Sequence, residues 1–130
     1  MATTGAYDAR IRRLAARYRR DSDAFDPPDE PPDPERAMGY LREGFGPAVM
    51  VYIDGRTGGE PARFSRASFD RLDETLNGYL ELYAACYGAD IDADANVRQA
   101  AELMLDTHNV ADVAAMLTHV PDRRDGGTVE

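Results

Sequence analysis

The feature that most constrains the fold is an apolar stripe that continues at helical spacing through residues 66–87. Apolar residues that recur every three or four positions lie on one face of an α-helix, and that face is expected to be buried. Ser65 is placed to cap the beginning of the helix, and Gly88 to end it in a left-handed conformation. The sequence therefore predicts a long helix in the core, with a buried face made of Phe69, Leu72, Leu76, Tyr79, Leu80, Tyr83, Cys86 and Tyr87.

Two shorter apolar stripes follow and predict a C-terminal pair of helices. Asn109 stands between them as an N-cap, with Asp112 at the third helical position, and Pro121 ends the second stripe. The second helix contains no arginine and carries Asp112, which favours packing in the core over the reading of DNA bases. The inner faces of the pair are Val97, Ala100, Ala101, Met104 and Leu105, then Val110, Val113, Ala114, Leu117 and Val120.

A β-branched and aromatic run before a glycine-rich segment predicts a β-hairpin. Residues Ala48–Ile53 have the length and the side chains of a strand, and Ala62–Ser65 would pair with them across the turn DGRTGGEP. A phosphate-binding loop is disfavoured because the segment has no lysine and continues into Glu60 and Pro61. We therefore interpret the glycines as turn residues.

Together these elements predict an α+β fold that is mostly helical. A two-stranded β-hairpin packs on the long helix and the C-terminal helical pair, with a separate N-terminal amphipathic helix. A lone hairpin is marginally stable, so its edge is expected to pair with a second chain in a homodimer. The predicted organisation is a basic amphipathic helix at 1–20, an acidic Pro-rich linker at 21–35, a globular domain at 36–121 and a polar tail at 122–130.

The N-terminal segment has the opposite charge to the rest of the chain. Residues 1–20 hold six arginines and one acid, whereas the remaining residues hold nine arginines and 23 acids. Three interpretations are open: the helix docks on its own domain, forms a coiled-coil-like seam with a partner, or presents arginines to an acidic protein or to nucleic acid. The candidate partner-binding residues are Tyr7, Ile11, Leu14, Tyr18, Arg13, Arg17 and Arg20.

The charged residues suit a protein that must stay soluble in concentrated salt. All 15 basic residues are arginine, and the 24 acids bring the net charge to −9. A surface rich in short carboxylates and free of lysine is typical of halophilic proteins. In this composition, and in the segments YIDGRTGG…ARFS and AAELMLDTHNVADVAAML, the chain resembles an uncharacterised family of small acidic haloarchaeal proteins with a domain of unknown function. The resemblance implies no activity and no site residues.

The same composition excludes several environments. The longest apolar run, Ala48–Ile53, has six residues, whereas a membrane span needs roughly 18. The N-terminus MATTGAYDAR has no apolar stretch of signal-peptide type. We therefore expect a cytoplasmic protein that does not bind membranes. The single cysteine excludes an internal disulfide and disfavours a cysteine-based metal site.

The chain contains one motif that begins like a metal site. Asp90, Asp92 and Asp94 alternate as in a calcium loop, but Ala95 stands where the turn requires glycine and Ala101 stands where the loop requires glutamate. The aspartates are better explained as a loop in which Asp92 or Asp94 caps the next helix. We expect neither a bound metal nor a cofactor.

No catalytic signature stands out in the sequence. His108 follows Asp106 closely enough to act as a general base with an orienting carboxylate, but no Gly-x-Ser-x-Gly motif supplies a nucleophile. Cys86 lies on an apolar face, where a thiol is usually inert. The sequence favours a non-catalytic protein-interaction or regulatory module. The alternatives are a nucleic-acid-binding protein that uses the arginine-rich helix and a small enzyme centred on His108.

Overall fold

The computed structural model describes residues 2–57 and 64–120, and every regular element in these ranges is a helix. A π-helical turn, Leu41–Phe45, joins the second helix to the third without a break. No strand occurs in the described ranges, so the prediction of an α+β fold is wrong and the fold is all-helical. The α-helices are α1 Ala2–Ala24, α2 Pro34–Tyr40, α3 Gly46–Thr57, α4 Arg66–Cys86, α5 Val97–Thr107 and α6 Val110–Thr118.

Helix α4 is the central helix, as the sequence predicts. The Ser65 hydroxyl caps it by accepting a hydrogen bond from the Ser68 N–H at 3.0 Å. Gly88 follows its last turn with a φ of 82°, a conformation that glycine adopts without strain. All the other helices and the π-turn contact α4. Its buried face therefore organises a core that contains the fully buried residues Leu72, Leu76, Tyr79 and Leu80.

The C-terminal helical pair is confirmed, with a different cap at its beginning and with one predicted inner residue, Leu105, 55% exposed. Asn109 caps α6 by accepting a hydrogen bond from the Asp112 N–H at 3.1 Å. Helix α5 is capped by Asn96, whose side chain accepts from the Gln99 N–H at 2.8 Å, and not by one of the preceding aspartates. The helices α5 and α6 contact each other directly and bury Val113 in the core.

The predicted strand Ala48–Ile53 is instead the middle of α3. Other elements surround the run on nearly every side, and only Met50, at 40% exposure, reaches the surface. A helix buried in this way is apolar around its whole circumference, so its sequence lacks the one-sided periodicity that distinguishes a helix from a strand. The β-branched residues Val49, Val51 and Ile53 then favoured the prediction of a strand, although the run is helical.

The remainder of the predicted hairpin gives no support to a strand pair. The first part of the predicted turn, Asp54–Thr57, is the last turn of α3. Phe64 and Ser65, from the predicted second strand, form no regular structure before α4 begins. The rest of that strand and turn, residues 58–63, lies outside the described residues, as does the predicted polar tail at 122–130. The edge through which a homodimer was expected is therefore absent from the described ranges.

Pro47 explains the π-turn between α2 and α3. Proline has no N–H to donate to the carbonyl four residues earlier, and its ring crowds that carbonyl. Ahead of it the backbone widens, and the Gly46 N–H donates to the carbonyl of Leu41, five residues back. The join brings Glu43, Pro47 and Val51 to the side of the fold that faces α1.

Helix α1 is part of the core and is not a separate element, which corrects the second part of the fold prediction. Ile11 is fully buried. The Tyr7 hydroxyl donates to the Asp54 carbonyl in α3 at 3.1 Å, and the Tyr18 ring meets the ring of Tyr79 edge-on at 5.3 Å. Of the three interpretations of the N-terminal helix, the structure shows docking on its own domain.

The acidic, proline-rich segment is also attached to the helices around it. Helix α1 continues to Ala24, inside the segment predicted as a linker. Beyond it, the Asp33 N–H donates to the carbonyl of Cys86 at 2.7 Å. The Arg36 guanidinium lies 4.6 Å from the centre of the Phe25 ring, in cation–π geometry. These contacts tie both ends of the segment to the body of the fold.

An extended segment, residues 89–96, runs antiparallel to α4 before α5 begins; we call it the strap. Side chains one turn apart on α4 accept hydrogen bonds from its alternate backbone N–H groups. Glu81 accepts from Ala93 at 3.0 Å, Asn77 accepts from Ala95 at 2.8 Å, and at the junction with α5 Asp73 accepts from Val97 at 2.9 Å. The backbone N–H groups of the strap therefore find their hydrogen-bond acceptors on a helix and not on a neighbouring strand.

Neutralising Asp73 is expected to stabilise the protein at neutral pH. Burial raises the pKa of Asp73 and Asp70 adds to this, while the hydrogen bond from Val97 opposes it. The folded state therefore binds the proton more tightly, and stability falls as pH rises through the range just above the ordinary pKa. Asp73→Asn keeps an acceptor for Val97 without the charge. We expect a gain of less than about 1 kcal/mol, because the carboxylate is half-exposed and screened.

Urea denaturation at about pH 7 and at about pH 3 measures this effect. The advantage of Asp73→Asn should disappear at the lower pH, where the wild-type carboxyl is itself protonated. Glu74→Gln, one residue away and exposed, is the control and should leave the difference between the two pH values unchanged. An equal gain at both pH values would contradict the assignment.

Candidate interaction site

Four arginines form a stripe along one side of α1. Arg10, Arg13, Arg17 and Arg20 are separated by three, four and three residues, the spacing of a single helical face. The apolar stripe of the same helix faces the core, so these arginines lie at its margin with their guanidinium groups towards solvent. The last three are predicted partner-binding residues; Arg10 has the same spacing but is not among those predicted.

The stripe forms one wall of a cleft of about 370 Å³ between α1 and the π-turn with the first half of α3. Leu14, Pro47 and Val51 supply apolar lining, and Glu43 stands on the wall opposite the arginines. We call this the arginine cleft. Because Glu43, Pro47 and Val51 are distant from α1 in sequence, no local pattern could have found them.

Two of the four arginines are held by carboxylates of the same chain. The Arg10 Nη2 lies 3.2 Å from Asp54 Oδ2, and the Arg17 Nη2 lies 2.6 Å from Glu43 Oε1. Arg17 is also 3.8 Å from Asp21. Along the stripe, the paired Arg10 and Arg17 alternate with Arg13 and Arg20.

Arg13 and Arg20 are exposed, and neither has an ion-pair partner among the described residues. They lie on the same wall as the paired Arg10 and Arg17. Glu43 shows how this wall receives a carboxylate, because its oxygen accepts a short hydrogen bond from a guanidinium N–H. The arginine cleft therefore has two open positions for anionic groups beside apolar lining.

The apolar residues predicted to bind a partner are used within the fold. Ile11 is buried, and Tyr7, Leu14 and Tyr18 are half-buried against the core. Tyr18 lies so close to α4 that any side chain at position 78 would collide with its ring, which is why glycine stands there. Among the predicted partner-binding residues, the structure thus leaves Arg13 and Arg20 available and keeps Arg17 in intramolecular pairs.

A second, larger groove of about 990 Å³ runs between α1 and α4; four acids and two arginines are among its lining residues, and we call it the acidic groove. Two of these acids already accept hydrogen bonds: Glu81 accepts from the strap, and Asp73 accepts from the start of α5. Among the described residues, no group of three or more His, Cys, Asp or Glu side chains is placed to hold a metal ion. We assign no ligand to this groove.

The residues considered for catalysis lie apart from one another. His108 is exposed at the end of α5 with a φ of 54°, and His119 is exposed at the end of α6 with a φ of 62°. Neither lines the arginine cleft or the acidic groove. Cys86 is buried, and that burial raises the pKa of its thiol, which disfavours the reactive thiolate. The geometry gives no support to an active site centred on His108.

The fold and the cleft define a small, all-helical domain with a basic surface on an acidic chain. The chain belongs to the family described as Domain of unknown function (DUF8055), whose model matches residues 5–122. The match begins within α1 and extends beyond α6, so it includes the arginine stripe and the strap. No curated protein and no solved structure matches the chain. None of the described helices is long and apolar enough to cross a membrane.

Proposed function

We propose that this protein is a non-catalytic interaction module whose arginine cleft binds an acidic segment of a protein partner. The observation that supports this most directly is the pair of open arginines, Arg13 and Arg20, on a wall that already receives the carboxylate of Glu43. On a chain of net charge −9, such a local basic wall is a departure from the background. The apolar lining beside it suits a partner segment that combines acids with small apolar residues.

A protein partner is favoured over nucleic acid by the surroundings of the cleft. Phosphate binding depends on counterion release and weakens steeply with salt. Glu43 and Asp54 already pair with Arg17 and Arg10, so the wall offers two separated open arginines and not the continuous basic track along which a phosphate backbone binds. Short bidentate contacts between arginine and carboxylate, together with burial of apolar groups, depend less on the long-range field.

We further propose that the module works in a halophilic, haloarchaeal cytoplasm. All its basic residues are arginine, and acids outnumber them by 24 to 15. Such a surface stays hydrated and soluble in concentrated salt. In that solvent, screened long-range attraction contributes little, and the short contacts of the arginine cleft would carry the specificity.

Replacing both open arginines with alanine is expected to weaken binding of an acidic peptide by about tenfold. The probe is a fluorescent peptide with alternating aspartate and alanine, and the measurement is anisotropy titration. Deleting residues 1–20 is unsuitable as a test, because it would remove the buried Ile11. The double substitution Arg13→Ala with Arg20→Ala leaves the core intact, since both side chains are exposed.

The matched control is Arg12→Ala with Arg19→Ala, which removes the same charge from the same helix outside the arginine cleft. It should leave most of the affinity in place. Equal losses from the two double variants, or no binding by the wild type, would contradict the proposal. Tighter binding of a single-stranded oligonucleotide than of the peptide, lost in the cleft variant alone, would replace the protein partner with nucleic acid.

A further inference from the structure

The outer edge of the strap carries a row of carboxylates. Asp90, Asp92 and Asp94 are exposed, while the intervening Ile91 and Ala93 are half-buried against the helices. Because successive side chains of an extended segment point to opposite sides, the inward contacts with α4 force these aspartates outward together. None of the three has an ion-pair partner in the part of the chain that the structure describes.

The strap itself shows that an extended segment matches the repeat of a helix surface. Alternate residues of an extended chain are about 6.6 Å apart, and residues four apart on a helix are about 6 Å apart. The two repeats are close enough for Glu81 and Asn77, four residues apart on α4, to meet Ala93 and Ala95, two residues apart on the strap. A second helix with one-turn spacing can therefore receive alternate residues of an extended segment in the same way.

The arginine stripe of α1 has that spacing and the opposite charge to the aspartate row. Arg13 and Arg20 are seven residues apart, about 10.5 Å along the helix, and Asp90 and Asp94 are about 13 Å apart in an extended segment. The long stems of the arginines span the difference. Asp92, between the two, meets the stripe near Arg17, which already pairs with acids of its own chain.

We propose that the segment received by the arginine cleft is the strap edge of a second copy of this chain. This inference rests on the proposed function and names its partner. Arg13 and Arg20 of one copy bind Asp90 and Asp94 of the next, while Ile91 and Ala93 stay packed against the helices of their own copy. The cleft and the strap edge are different surfaces, so the contact is head-to-tail and leaves one of each open at the two ends of an assembly.

Sedimentation velocity of the full chain over a range of concentrations tests this assembly. The wild type is expected to increase in average mass as its concentration rises. Two variants each remove one side of the contact: Arg13→Ala with Arg20→Ala, and Asp90→Asn with Asp94→Asn. Each variant alone should associate at least about tenfold more weakly than the wild type.

The mixture of the two variants gives the sharper result. The asparagine variant retains the arginine cleft and the alanine variant retains the aspartate row, so one intact contact exists between them. At concentrations where either variant alone stays monomeric, we expect the equimolar mixture to form a one-to-one complex that does not grow further. A reciprocal two-fold contact would stop at a dimer in the wild type, whereas the head-to-tail contact lets the wild type grow further as its concentration rises.

The control variant is Asp106→Asn with Asp112→Asn, which removes two exposed charges from α5 and α6 and should associate like the wild type. Circular dichroism confirms that each variant is folded. A wild type that stays monomeric at every concentration, or an asparagine variant that associates like the wild type, would overturn the inference. A monomeric wild type that still binds the acidic peptide through Arg13 and Arg20 would leave the proposed function standing and show that the partner is another protein.

Discussion

Replacing Ile11 with alanine is expected to lower the free energy of unfolding by about 2–5 kcal/mol. Ile11 is fully buried, and its side chain joins α1 to the common core. The substitution removes buried apolar surface and leaves a cavity that the surrounding helices fill only in part. Since a domain of this size is stable by roughly 5–15 kcal/mol, the loss is a large share of the total. Urea denaturation followed by circular dichroism measures it.

The control for this prediction is Arg13→Ala on the same helix. That side chain is exposed, so the change in unfolding free energy should stay within about 0.5 kcal/mol. A loss of less than about 1 kcal/mol for Ile11→Ala would mean that α1 contributes little to the core. It would then be a separable helix, and deletion of residues 1–20 would become a valid test of binding.

Replacing Gly44 with alanine is expected to destabilise the protein by about 1–3 kcal/mol, although alanine is the better helix former. A Cβ at position 44 would lie 2.5 Å from three ring atoms of Tyr79. That ring has little freedom to move, because its edge meets Tyr18 and its hydroxyl donates to Asp21 at 2.7 Å. The added methyl group must therefore push the backbone or the ring out of place. Thermal or urea unfolding measures the loss, and near-ultraviolet circular dichroism reports the displaced tyrosines.

Gly39→Ala is the matched control, because the same substitution there meets no described atom within 4 Å. Position 39 lies in α2, so the change should stabilise the protein by up to about 1 kcal/mol through reduced backbone entropy in the unfolded state. Opposite signs for the two glycines would confirm that the close approach to Tyr79 explains the glycine at position 44. Equal effects would show that backbone propensity alone decides both.

The error over residues 48–53 has a specific physical origin. A helix with one solvent-exposed face can be recognised from its sequence, because polar and apolar residues alternate with the helical period. Helix α4 was recognised in this way, from apolar residues at intervals of three and four. Helix α3 has no such face, because α1, α4, α5 and the π-turn surround it. Its Val, Tyr and Ile residues carry a preference for strands worth about 1 kcal/mol at most, which tertiary packing overrides.

The strap presents the reverse case, in which a strand-like alternation is real but has no strand to pair with. Asp90 to Asn96 alternate between polar and apolar residues, although the sequence prediction for them is only a loop, and their exposure alternates in the same way. Its backbone N–H groups are satisfied by side chains of α4 such as Glu81 and Asn77. Nothing within the segment identifies those acceptors, since they lie on a helix that precedes it in the chain.

The sequence by itself determined the features that depend on neighbours along the chain. These are the apolar face of α4, the Ser65 and Asn109 caps, the left-handed Gly88 and the basic stripe of α1, and each follows from local periodicity or a single backbone preference. Only the tertiary structure decided that 48–53 is a buried helix, that Ile11 lies in the core, and that Glu43 and Pro47 face the arginines. These outcomes depend on contacts between residues that are far apart in the chain. In addition, a helix that is buried on all sides has no polar face, so its sequence lacks the pattern by which a helix is recognised.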